Sequence, residues 1–178
     1  MAGWWVFAIG LFIVVAAAVL FNGLVTARNR VRAAWSDIDV QLTRRHDLVP
    51  QLVAAVQGYA SYERATLTTV TELRTRAMAA ASLTDKAQAE GELARQIDRI
   101  LALQERYPDL KASDNFLALQ KELVEIEDHL QYARRFYNGS VRDLNNLIET
   151  FPSNLVARLA RFAPAHFFSS DGQQEAPA

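Results

Sequence analysis

The sequence predicts an all-α protein, with an N-terminal transmembrane helix followed by an antiparallel up-and-down bundle of long helices. Three observations carry this. Residues Trp4 to Leu24 contain no charge, and apolar residues beyond them recur at gaps of three and four. The punctuation that several strands would need is also missing: prolines occur only at Pro50, Pro108, Pro152, Pro164 and Pro177, and glycine is scarce after Gly23.

The first element is the apolar one. At about 1.5 Å rise per residue, Trp4 to Phe21 covers roughly the thickness of a hydrocarbon core. Trp4 and Trp5 mark one membrane interface, where indole rings settle, and Arg28, Arg30 and Arg32 mark the other. A cleavable signal peptide is the competing reading, favoured by the small residues Ala16, Ala17 and Ala18. Against it, no Lys or Arg precedes the apolar run, and the run is long. The arginines lie C-terminal to the span, so the positive-inside rule places the N-terminus outside and the helical body in the cytoplasm. The arginines also suit anionic lipid headgroups. The chain has no cysteine, which excludes disulfides, lipoprotein-type lipidation and cysteine catalysis. A net charge of −1, without a basic stripe interleaved with aromatics, argues against a nucleic-acid partner.

The helical body follows. Val31, Trp35, Ile38, Leu42, Val49, Leu52, Val56 and Tyr59 share one helix face, and the same register runs on to Leu67, Val70 and Leu73. Because that register crosses Pro50, a kinked but continuous helix is expected there, ending in the small-residue stretch from Met78. Thr84 or Asp85 suits the cap of the next helix, which carries Leu93, Ile97 and Ile100 until Pro108 stops it. A polar connection leads to the most regular stripe, from Phe116 through Leu123, Leu130, Tyr137 and Leu144 to Phe151. Gly139 interrupts this stripe at about 1 kcal/mol relative to alanine, so fraying or bending is expected there. Ser153 to Phe162 reads as a short capped amphipathic helix. The expected division is a transmembrane anchor over 1–25, a helical bundle over 26–168, and a polar tail over 169–178 too poor in apolar residues to fold.

Few constellations suggest chemistry. His46, His129 and His166 each lack a glutamate three residues earlier, so the carboxylate–histidine pattern of two-metal bundles is absent; neither a metal nor another cofactor is expected. Glycine-rich phosphate loops and hydrolase motifs are missing as well. The notable polar cluster pairs Arg44, Arg45, His46 and Asp47 with Tyr59, Tyr62, Glu63 and Arg64. Arg45 and Glu63 fall on the apolar stripe itself, where an unpaired charge is costly, and they are expected to form a polar layer that sets helix register. The alternative is that both side chains snorkel to the bundle edge. Arg44, His46, Asp47, Tyr62 and Arg64 are expected to form an exposed partner-binding patch.

Several strings now resemble a known family. Asn22–Arg30 (NGLVTARNR), Ala34–Pro50 (AWSDIDVQLTRRHDLVP), Gly58–Glu63 (GYASYE), Tyr107–Phe116 (YPDLKASDNF), Ala133–Leu147 (ARRFYNGSVRDLNNL) and Phe151–Asn154 (FPSN) are similar to the LemA family of bacterial membrane proteins. Gly139 departs from the family pattern, which usually has a polar helix former there. The resemblance implies a single N-terminal span, an up-and-down helical bundle, and no catalytic residues to carry over. It also implies a family-level association with a membrane metalloprotease of the envelope stress response, and a related branch serving magnetosome membranes. The expected function is a non-enzymatic scaffold of the bacterial inner membrane that binds protein partners or a second copy of itself. The alternative is a lipid-organising protein that uses the arginine cluster and the C-terminal amphipathic segment.

Overall fold

The computed structural model describes residues 2–60 and 63–169. Among these the chain is helical, with α1 at Ala2–Gln57, α2 at Arg64–Ala79, α3 at Leu83–Leu101, α4 at Pro108–Lys111, α5 at Asp114–Glu149 and α6 at Ser153–Leu159. The described residues divide into two compact units, one from 2–36 with 136–167 and the other from 37–135 with 168–169.

In the first unit the character of α1 changes at Leu24. The large apolar side chains from Trp4 to Val19 stand mostly exposed, as does Phe21. From Leu24 onward, Leu24, Ala27, Val31 and Ala34 are buried at helical spacing, with Tyr137, Val141 and Leu144 of α5 and Ala157 of α6. The start of α1 is long and apolar enough to cross a membrane. The chain after α6 is strapped to α5. The Asn145 side chain donates to the Ala165 carbonyl at 3.0 Å and accepts from the Ala165 N–H at 2.9 Å, and the Tyr137 hydroxyl donates to the His166 carbonyl at 2.9 Å. Tyr137 also meets Trp35 edge-on, with ring centroids 5.6 Å apart. Its burial pushes the phenol above the ordinary tyrosine range.

In the second unit, α1 passes through Pro50 as one helix and stops at Gln57. The expected continuation to Met78 is therefore broken, and the break lies at Gly58 rather than at the proline. Tyr59 and Ala60 both close on the Val56 carbonyl, at 3.0 and 2.9 Å, and Ala60 is fully buried as the chain turns. Leu67 and Val70 are buried as expected, but on a separate helix. Periodicity registers which positions are apolar and is blind to a turn that preserves the count.

The connection at residues 80–82 folds α2 back into contact with α3. The cap of α3 falls at Ser82, ahead of the expected Thr84 or Asp85: its hydroxyl accepts from the Asp85 N–H at 3.0 Å and donates to the Asp85 carboxylate at 2.6 Å. After α3 a 3₁₀ turn, Ala102–Glu105, leads to Pro108, which starts the short α4 inside the expected polar connection, as its fixed φ favours. Helix α5 passes Gly139 without a break. Ser153 begins α6, but its hydroxyl donates back to the Thr150 carbonyl at 2.8 Å instead of capping the helix. The expected polar tail lies, from residue 170, outside the described residues.

Candidate functional site

The most unusual chemistry in the second unit is a carboxylate sealed inside it. Glu90 of α3 is fully buried, and both of its oxygens are taken. Oε1 lies 2.7 Å from Nε2 of His46, and Oε2 pairs with the Arg45 guanidinium. An ionised carboxylate only accepts, so His46 carries its proton on Nε2 when it bonds Glu90. Arg45 is 2% exposed and also donates from Nη1 to Glu127 of α5 at 3.1 Å; its Nε has no hydrogen-bond partner among the described residues. Burial alone would raise the Glu90 carboxyl. The hydrogen bond from His46 and the positive charge of Arg45 outweigh it, and the carboxyl is held below the ordinary glutamate range.

Pro50 contributes to the same cluster. It has no N–H to offer the His46 carbonyl four residues back, so that carbonyl is an orphan within the helix. Nε of Arg74, from α2, donates to it at 2.7 Å. Removing the donor should be felt: Arg74→Met is expected to lower stability by about 1–3 kcal/mol, the cost of leaving a shielded acceptor unmet. Thermal melting of the full chain reads this, and an Arg74→Met/Pro50→Ala double variant should recover most of the loss. If the single variant melts like the parent, the donated bond has no energetic role.

Beside the cluster, Arg45 and Glu127 line a cleft of about 300 Å³ whose walls include Ile97, Leu101 and Val124, with Asp98 and Asp128 at its edge. Among the described residues, no group of three or more carboxylate or imidazole side chains is placed to hold a metal ion. Both oxygens of Glu90 are engaged, so this buried carboxylate has no free oxygen with which to exchange a proton. Its geometry suits holding α1, α3 and α5 in one alignment.

The expected site residues separate. Arg45 lies in a buried polar layer, but its partners are Glu90 and Glu127, and His46 joins it only through the other oxygen of Glu90. Glu63 instead pairs with Arg106 at 2.7 Å, at the start of α2 and away from that layer. His46 is 6% exposed and belongs to the buried cluster, which corrects its place in the exposed patch. Arg44, Asp47 and Arg64 are exposed, and Tyr62 lies outside the described residues. Trp4, Trp5, Arg28, Arg30 and Arg32 are exposed on α1. Sequence reading missed Glu90, although a signal existed: it precedes Leu93, Ile97 and Ile100 by three, seven and ten residues, on the buried stripe of α3.

Comparison with known proteins agrees with the motifs. The profile of the LemA family matches residues 34–178. Protein LemA of Metamycoplasma hominis is 32% identical over 141 residues, covering 77% of this chain and 63% of that protein. Magnetosome protein MamQ 2 of Paramagnetospirillum magneticum is 26% identical over 184 residues, covering 89% of this chain and 66% of that protein. Magnetosome protein MamQ of Magnetospirillum gryphiswaldense is 21% identical over 183 residues, covering 88% and 67%. The chain spans just under two thirds of the length of the first two of these relatives.

Proposed function

This chain belongs to the LemA family, and on that premise we propose that it is a non-enzymatic, membrane-anchored helical scaffold of the bacterial inner membrane, receiving protein partners or a second copy of itself. The observation that carries this reading is the change along α1 at Leu24, from outward-facing apolar side chains to a helically spaced buried stripe. A helix apolar all round is stable in hydrocarbon, where its backbone hydrogen bonds are satisfied internally, and costly in water. The orientation we favour, N-terminus outside and body in the cytoplasm, follows from Arg28, Arg30 and Arg32. For the partner surface we favour the exposed Arg44, Asp47 and Arg64.

The absence of cysteine makes the test direct. In intact cells, a membrane-impermeant thiol reagent should label an Ala2→Cys variant and spare Ser170→Cys; labelling of Ser170→Cys alone overturns the orientation. In mild detergent, the parent should retain a protein companion or a second copy that the Arg44→Ala/Asp47→Ala/Arg64→Ala variant loses. A parent that emerges as a lone monomer overturns the scaffold reading, and a variant that keeps its companion overturns the patch.

A further inference from the structure

The outer face of α6 is left largely uncovered by the described residues of its unit. Ser153 and Ala157 turn inward, whereas Phe151, Leu155 and Leu159 stand 74%, 59% and 88% exposed. Leu155 and Leu159 are one helical turn apart, on the side of α6 opposite Ser153 and Ala157. Arg158 and Arg161, beside them, are exposed too. One exposed leucine is unremarkable in any protein; three bulky apolar side chains at or beside a seven-residue helix, flanked by arginines, form a patch.

Phe162 fixes where this patch sits along α1. Its ring meets Phe21 edge-on at a centroid distance of 6.1 Å, and the Arg28 guanidinium lies 5.0 Å over the same ring. Phe21 is near the end of the charge-free stretch and Arg28 is the first charge after it. Phe162 is therefore clamped at the level where α1 would pass from hydrocarbon to headgroups.

The end of α6 is shaped to do this. The Phe162 N–H donates to the Ala157 carbonyl at 2.9 Å and the Arg161 N–H to the Arg158 carbonyl at 3.2 Å, a paired closure that needs a left-handed residue at position 161. Arg161 adopts it with φ of 55°, a conformation that ordinarily selects glycine. Glycine would end the helix without strain but would leave no charge there. The strained arginine and the row of exposed apolar side chains are independent features of one short segment, and both suit an anionic surface over an apolar one.

We propose that α6 is an interfacial foot: Phe151, Leu155 and Leu159 enter the acyl boundary of the leaflet through which α1 leaves the membrane, and Arg158 and Arg161 meet its phosphates. The foot rests on the reading of α1 as an anchor and adds to it a second attachment that lies in the surface. Lipid is the occupant because Phe162 holds the face at headgroup height.

Single spin labels on the full-length protein in vesicles of zwitterionic and anionic phospholipid test this. The labelled variants are Val14→Cys in the span, Leu155→Cys and Leu159→Cys on the foot, and Thr84→Cys, at an exposed position of α3, as a water reference. Collisions with a water-soluble nickel chelate should be severalfold rarer at 155 and 159 than at 84, and collisions with oxygen, which concentrates in lipid, should rise toward those at 14. If 14 reads as lipid while 155 and 159 read as water, the foot is wrong and the anchor stands. If 14 itself reads as water, the anchor fails and takes the foot with it. Immobilised labels at 155 and 159, shielded from nickel and oxygen alike, would put protein against this face and overturn the lipid assignment.

Discussion

Replacing Glu90 with leucine is expected to destabilise the full chain by about 3–5 kcal/mol, because it strands the Arg45 guanidinium without the carboxylate that balances it. Arg45 is 2% exposed, and the remaining carboxylate, Glu127, has a side chain 36% exposed and so offers a screened partner. For a domain of this length the melting temperature should fall by roughly 6–20 °C. The double variant Arg45→Leu/Glu90→Leu should recover most of that, since apolar residues replace a buried ion pair at little net cost when both charges leave together. A Glu90→Leu variant within about 1 kcal/mol of the parent would mean that Arg45 finds another partner or water, and the cluster would lose its structural role.

The same carboxylate sets an acid limit. Its pKa is depressed in the fold, so the unfolded chain takes up the Glu90 proton at higher pH than the native protein does. The stability it contributes is complete above the ordinary glutamate value of about 4.3 and is lost as pH falls through the lower native value. Glu90→Gln should accordingly flatten the loss of stability on acidification below about pH 4, measured as melting temperature against pH. An unchanged acid limb would assign acid denaturation to other carboxylates.

The second large effect is expected at Phe168, which is 1% exposed and lies beneath the Arg134 guanidinium at 5.6 Å from the ring centroid. Phe168→Ala should lower stability by about 3–5 kcal/mol, the usual consequence of emptying a buried aromatic site. Phe167, its neighbour, is 38% exposed, and Phe167→Ala should cost about 1 kcal/mol or less. Equal melting of the two variants would show that Phe168 does not fill a core position.

These residues show what was legible in the chain and what was not. The apolar helix, the buried stripes and the long α5 were readable, because a 3.6-residue repeat is a local property of sequence. The stop at Gly58 was not: one glycine costs a helix only about 1 kcal/mol, too little to mark a turn in a register that runs on past it. Pro50 carried the stronger breaking signal, yet α1 survives it, because Arg74 from another helix meets the carbonyl that proline leaves unpaired. No local pattern announces such a partner. Arg45 was recognisable as a charge on a packing face, and the same test applied to α3 would have found Glu90. Glu63 passed that test and still pairs elsewhere, with Arg106, since sequence spacing gives the face of a residue without its partner. Phe167 and Phe168 are identical in type, and nothing in the local sequence separates the exposed ring from the buried one.

The engagement of both Glu90 oxygens has a mechanical consequence. Two helices meeting through leucines alone have several alignments of similar energy, each a turn apart, and can creep between them. Slipping α3 by one turn would carry the Glu90 carboxylate about 5.4 Å along its axis, out of hydrogen-bond reach of both Arg45 and His46. Every intermediate position would bare a buried charge. The cluster therefore works as a detent: against a pull along the helix axis α3 does not give gradually, and when it yields it does so in a single jump.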